Sequence, residues 1–327
     1  MIKMRRLIQF IKDWTLPVSI VTGSFIYLVF AFIPALESAA TVFAPILDAA
    51  LPLFMFLVLY VTFCKVDFRK LIPVGWHLWI ALSQVLMVAV VIGVILTFHV
   101  MGETLILLEA LLTCIICPCA SAAAVVTQKL GGDLEEMTTY TFLSNFLCAL
   151  LIPVCFPLLD AGAGLTFWSA FVMILYKVCL VLVVPMLLAY ITKHWHALCR
   201  FYQWVISVDN LSYYLWACSL LIVSGTTVKN IVHAEVAVSF LLLIAVLALI
   251  LCLIQFVIGR YIGHFFRSTI NAGQALGQKN TAFAIWIAYT YLNPLSTVGP
   301  GCYILWQNII NSVEIWRHDH AIKRINE

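Results

Sequence analysis

The chain has 327 residues, 64% of them hydrophobic and 10% charged, with a formal net charge of +3. A soluble domain is ~45–50% apolar and ~25% charged, so this composition excludes an ordinary water-soluble core and needs lipid around it. The basic residues are dispersed, which argues against a nucleic-acid partner. Most of the eleven cysteines lie in apolar runs (Cys148, Cys155, Cys179, Cys218, Cys252), where they read as small hydrophobes rather than a disulfide framework.

Lys3, Arg5, Arg6 and Lys12 precede an apolar run from Trp14 to Ile33, with small residues at Ser38–Ala40. That pattern fits a signal peptide. At ~20 residues the run is also long enough to span a bilayer, and it is taken as the first helix. Hydropathy then predicts ten spans, at about 14–34, 42–63, 72–97, 103–129, 137–159, 166–191, 203–226, 234–259, 268–291 and 297–316. The connections are short, so a single membrane domain is expected over 1–327, with no soluble domain attached.

With the N-terminus inside, 15 of the 18 basic residues fall on the inner side, from Lys3 through Lys65, Arg69, Lys70, Lys129, Lys193, Arg200, Arg260 and Arg267 to Arg324. This asymmetry puts both termini in the cytoplasm and suits a plasma (inner) membrane protein. Lys229 falls in an outer loop; Lys177 and Lys279 fall within spans. Trp76, Trp79, Trp195, Trp204 and Trp316 near inner span ends, and Trp168 near an outer one, fit an aromatic belt.

Two spans carry interruptions. In span four, Cys117-Pro118-Cys119-Ala120-Ser121 breaks an apolar run, because Pro118 removes a backbone donor and clashes with the preceding turn. The C-x-C there has no histidine nearby, and structural zinc takes four ligands, so no metal is expected. In span nine, Gly273–Asn280 (GQALGQKN) sets two glycines, two glutamines, a lysine and an asparagine at membrane depth. Irregular polar backbone survives there only inside protein or beside a water-filled cavity. Half-helices restarting near Ser121 and Thr281 would point positive ends at the gap and favour an anion. The plainer reading, a proline kink and packing glycines, accounts less well for Gln274, Gln278, Lys279 and Asn280 at one depth.

Ten spans divide five and five near Asp160–Thr166. Five is odd, so the second half enters with opposite orientation, and the breaks fall in the fourth span of each half. Paired breaks in inverted halves mark the binding site of secondary transporters.

The residues at these breaks also carry a resemblance. Cys117-Pro118 … Ala120-Ser121-Ala122 … Val125 … Thr127 … Gly132-Asp133, then Thr141 and Ser144, is similar to the CPGG-T-A-S-N stretch of the bile acid:sodium symporter family. Gly277 … Asn280-Thr281-Ala282-Phe283-Ala284 resembles that family's E-x-G-x-Q-N-S-G-L-A. Pro300-Gly301 … Trp306-Gln307-Asn308 … Ser312 resembles its last helix, and Thr62 … Lys65 … Asp67-Phe68 … Gln84 its second-to-third helix region. On four motifs in the right order, the chain is identified as a divergent, bacterial-type member. The resemblance implies an all-α membrane fold of ten helices in two inverted five-helix repeats. It further implies crossed broken helices in a core of spans 3–5 and 8–10, beside a panel of spans 1, 2, 6 and 7. The implied function is organic-anion transport by alternating access.

The departures concern sodium, which the family holds on polar residues of the broken helices. The family's serine and asparagine align with Ala123 and Ala124, and its glutamate and glutamine with Ala275 and Lys279. With a one-residue insertion in span nine, Gln274 and Gln278 would take those last two places instead. The ungapped reading makes Lys279 the stand-in for sodium, and an ammonium at mid-membrane marks function by default. A lysine that releases its proton there would couple transport to protons.

Expected substrate contacts are Ser121, Lys279, Asn280, Thr281, Gln307 and Asn308. Gln84, Thr141, Gln274, Gln278 and Glu109 are candidates for ion coupling or a residual cation site. Glu314, late in span ten, is with Glu109 a candidate counter-charge or proton carrier, its plainer reading being a water-facing carboxylate near the cytoplasmic end; Asp48, Asp209 and Asn210 are placed in panel helices without a role. His318 and His320 belong to a charged tail. The expected partners are a small organic anion and the bilayer, with no obligatory protein partner and no cofactor beyond an undetermined sodium or proton. The chain has no HExxH, no GxSxG and no paired carboxylates at depth, so an intramembrane enzyme is not expected. A ligand sensor on the same fold is the rival reading.

Overall fold

The computed structural model describes residues 15–159, 166–208, 211–234 and 236–326. Lys3, Arg5, Arg6 and Lys12, the mid-chain boundary at 160–165, Asp209 and Asn210, and the side chains of Asp48, Lys323 and Arg324 lie outside the described residues. The described chain is helical, with no strand among its elements.

Among the described residues fourteen α-helices follow one another: α1 Thr15–Phe32, α2 Glu37–Cys64, α3 Gly75–Thr97, α4 Gly102–Ile116, α5 Ala123–Lys129, α6 Leu134–Leu159, α7 Phe167–Leu182, α8 Val184–His194, α9 Cys199–Ser207, α10 Leu211–Val232, α11 Val238–His264, α12 Thr269–Gly277, α13 Thr281–Tyr291 and α14 Val298–Asn326. Among the described residues six stretches are long and apolar enough to cross a membrane unbroken: Thr41–Cys64, Gly75–Thr97, Leu134–Leu159, Phe167–His194, Leu211–Val232 and Val238–His264. The two interrupted segments escape that count because each half is too short alone, and α1 is only slightly shorter than a full span. Pro185 at the start of α8 accounts for the turn between α7 and α8.

The helices pack in two groups, with α6 lying against α7 between them. α10 lies against α1 and α2, and α2 against α7 and α8. A side chain at Gly23 would run into the main chain of Leu221, so α1 and α10 approach to backbone distance. The second group sets α11 against α12 and α14, α3 against α4 and α6, and α14 against α4. Gly259 serves it in the same way, since a Cβ there would strike the carbonyl of Ala272 on α12. The interrupted pairs α4–α5 and α12–α13 lie within this second group.

Each interrupted segment is pinned to the loop that follows the other. Asn271 on α12 donates to the carbonyl of Asp133 (2.7 Å) and accepts from its N–H (2.9 Å), in the loop after α5. Glu109 on α4 accepts from Ser296 Oγ (2.7 Å) and Asn293 N–H (3.2 Å), in the loop after α13. At the end where α3 begins, Glu136 of α6 ties Trp76 Nε1 (2.8 Å) and Ser268 Oγ (3.2 Å) together. At the opposite end, Asn230 of α10 donates to Pro294 O (3.1 Å) and Thr297 Oγ1 (2.8 Å), joining the two groups.

Candidate functional site

The two interruptions meet. Cys119 and Lys279 face one another as a short antiparallel bridge. Ala120 N–H donates to Gln278 O (3.0 Å) and Asn280 N–H to Pro118 O (2.9 Å). Backbone polar groups at this depth have no water to turn to, so each break satisfies the other. The remaining donors find side chains. Cys119 N–H goes to Ser144 Oγ (3.2 Å), and Lys279 N–H to Gln307 Oε1 (2.9 Å), while Gln307 Nε2 returns to Lys279 O (3.2 Å).

The first break spans 117–122 and α5 restarts at Ala123, two residues later than expected. The second spans only 278–280. Gly273 and Gly277 stay helical within α12, and a side chain at Gly277 would collide with the Phe256 ring. The glycines therefore act in packing, and the unwinding falls on the polar residues after them. Asn280 caps α13 by accepting from Phe283 N–H (3.2 Å).

The end of α4 presents carbonyls with no intrahelical donor, the negative end of the helix dipole. Gln84 Nε2 meets three of them, Ile115 O (3.0 Å), Ile116 O (3.2 Å) and Cys117 O (3.2 Å). The Lys279 ammonium sits on the same end, 3.1 Å from Ile115 O and 3.4 Å from Cys117 O. Lys279 is 1% exposed, and its charge faces carbonyl dipoles rather than a carboxylate.

Two cavities lie beside the crossing. A small one, about 30 Å³, is lined by Ser121, Gln278, Lys279, Asn280, Thr281, Gln307 and Asn308 among others. It shares Ser121, Gln278, Asn308 and Trp216 with a large one of about 790 Å³ that also takes in Thr141, Thr138, Tyr213, Lys65, Asp67, Lys70 and Glu135. The large cavity reaches the surface at Lys70 and Glu135, which pair in an exposed salt bridge. The Glu135 carboxylate holds the Lys70 ammonium above its ordinary range. A volume in the hundreds of Å³ suits a drug-sized molecule.

The expected substrate contacts Ser121, Lys279, Asn280, Thr281, Gln307 and Asn308 thus border one cavity, with the Lys279 ammonium bonded to Ile115 O and Cys117 O. Of the other candidates, Gln278 lines both cavities and Thr141 the large one, while Gln84 lies behind the break on the carbonyl end. Gln274 is not at the break: its Nε2 donates to Asn311 Oδ1 (2.9 Å), next to Glu314 of α14. Glu314 pairs with Arg260 rather than simply facing water. Glu109 is held midway along α4, about 12 Å from Cys117 at 1.5 Å per residue, by Ser296 and Asn293. Lys177 lies 5.6 Å over the Tyr291 ring. Among the described residues no group of three or more His, Cys, Asp or Glu side chains is set to hold a metal.

Sequence reading placed Ser144 in the family-like stretch but gave it no role, and it receives the Cys119 N–H; the Tyr213–Trp216 pair of α10, which lines the large cavity, was missed. An aromatic pair in an apolar helix carries no local signal of which side it faces.

Residues 68–302 match the family model described as the SBF-like CPA transporter family. The matched stretch contains both interruptions and all the lining residues named above except Lys65, Asp67, Gln307 and Asn308. No curated protein matches the sequence.

Proposed function

The chain belongs to the SBF-like CPA transporter family, part of the bile acid:sodium symporter family, and is a membrane transporter; on that premise we propose that it carries an organic anion without sodium, the Lys279 ammonium standing where a sodium ion would sit. One observation carries this reading: the Nζ of Lys279 rests on the Ile115 and Cys117 carbonyls at the negative end of α4. An ion bound there would need oxygen ligands. Ala123, Ala124 and Ala275 offer none from their side chains, and a fixed ammonium already meets the dipoles.

The proposed topology has ten spans in two inverted five-helix repeats, about 14–160 and 166–316. The α4–α5 and α12–α13 pairs form the fourth span of each repeat, and α14 the last. The reciprocal ties of Asn271 and Glu109, each to the loop after the other broken segment, support that symmetry. The core comprises spans 3–5 and 8–10 and the panel spans 1, 2, 6 and 7, with both termini cytoplasmic in the inner membrane. The large cavity opens beside Lys65 and Lys70, on the side that the basic residues mark as cytoplasmic, so this conformation faces inward. Alternating access then closes the mouth of this cavity and opens the opposite side, where Asn230 joins panel to core.

The test is a thermal melt of the detergent-purified protein against a panel of organic anions, in sodium and in choline at equal ionic strength. A ligand that binds only the folded state raises the melting temperature. Equal shifts in the two salts are the expected result. A shift seen only in sodium would return the protein to sodium symport. Counterflow of the bound anion in proteoliposomes separates a carrier from a sensor.

A further inference from the structure

Ser121, Gln278, Asn308 and Trp216 line both cavities beside the crossing, and among their polar atoms Gln278 Oε1 is the one that is buried with no hydrogen-bond partner among the described residues. Gln278 is 4% exposed, and its Oε1 is buried without a donor. Buried polar groups are ordinarily paired, and an unpaired one waits for a ligand or water.

Their chemistry is mixed. Trp216 N–H only donates, and Ser121 and Gln278 can do either. The Asn308 amide is held in one sense, because its Nδ2 donates to Ile304 O (2.6 Å). Its Oδ1 is therefore left as an acceptor and needs a donor. A bare carboxylate has only acceptors and would leave Asn308 unanswered. The Lys279 charge is occupied at Ile115 and Cys117, so neutral groups hold the deep end of a ligand. Beside these groups stand the rings of Trp216 and Tyr213, with centroids 5.9 Å apart.

We propose that the substrate is an aryl hydroxy acid. Its carboxylate takes the donors of Ser121, Trp216 and Gln278 Nε2, its hydroxyl donates to Asn308 Oδ1, a cavity water donates to Gln278 Oε1, and its ring lies on the Trp216–Tyr213 wall. This rests on the organic-anion transport reading above. Trp216 and Asn308 are then specificity residues: one selects the ring, the other the hydroxyl.

The experiment measures, by thermal shift on the full-length purified protein, the affinities of three matched acids: mandelate, phenylacetate, and the cyclohexyl analogue of mandelate. The 2-naphthyl homologues of the first two extend the series in size. Removing the hydroxyl should weaken binding about tenfold or more, since a site built to hydrogen-bond a hydroxyl rejects the analogue without it. Saturating the ring should weaken it about threefold or more, as stacking is lost. Asn308→Leu should abolish the hydroxyl preference alone. Trp216→Leu should abolish the ring preference, and Trp216→Phe should keep it. Equal affinities across the wild-type series overturn the proposal even if no variant folds, and so do preferences that survive in the variants. Binding without preference sinks this inference alone. No binding by any of these acids overturns it, and anion counterflow then decides the transport reading separately.

Discussion

The ammonium of Lys279 lies 3.1 Å from the carbonyl oxygen of Ile115, at the point where α4 ends and its last carbonyls have no helical donor. A positive charge is stabilised there by the helix dipole, and a lysine held by the backbone of the opposing break cannot leave as an ion can. That difference between a tethered and a free cation shapes the first prediction.

Lys279→Gln removes the charged hydrogen bonds that hold the crossing at Ile115 O and Cys117 O, ~1.5–3 kcal/mol, and through that loss of order should weaken anion binding in choline about tenfold, although the ammonium does not touch the anion. The check is the ligand-induced melting shift of the variant in both salts. Unchanged binding in choline would mean that the ammonium is incidental.

Gln84→Leu should destabilise the fold by about 1–3 kcal/mol, because it leaves Ile116 O with no side-chain donor and Ile115 O and Cys117 O with Lys279 alone. A lower melting temperature without ligand, in either salt, is the expected readout. Because Lys279 still meets two of the three carbonyls, the loss should be larger when Lys279→Gln is added than the single losses sum to.

At Glu109 two substitutions should part company. Glu109→Gln keeps an acceptor for Ser296 Oγ and the Asn293 N–H and should melt close to the parent. Glu109→Leu strands both donors and should cost about 1–3 kcal/mol. If Glu109→Gln retains stability yet loses transport, the carboxylate has a role in coupling beyond this tie.

The inward-facing reading can be tested by labelling. Thr138 lines the large cavity near its mouth, and Cys199 is an exposed native cysteine. Cys218 is exposed as well, so in a Cys199→Ser, Cys218→Ser background Thr138→Cys should react with an impermeant maleimide in inside-out vesicles and be protected in right-side-out ones. Reaction from the outer side alone would invert the proposed topology.

Much of this site could be read from residue order, and the part that could not has a physical reason. Pro118 announces the first break because a missing N–H is a local property, and the run Gln278-Lys279-Asn280 announces the second because polar backbone needs shelter in lipid. The crossing partner of each break is not local. No spacing says that Gln307, twenty-eight residues on from Lys279, will bracket its main chain. The same holds for Gln274 and Glu109. Their depth in the spans suggested the centre, yet side-chain direction sends one to Asn311 on α14 and the other to Ser296. The glycines at 273 and 277 follow the plainer reading, since they stay helical where Arg260 and Phe256 of α11 leave no room for a side chain.

The reciprocal ties also bear on how such a sequence can change. The Asp133 loop is anchored on Asn271 and the Ser296 loop on Glu109, so the length of each connection is set by a residue in the other half of the molecule. An extra residue in either short loop would be felt as a displaced anchor on a distant helix, not absorbed at the surface as loops usually allow. Scanning insertions should therefore find these two exterior loops as intolerant as the interior, a signature of architecture stitched across its own midpoint.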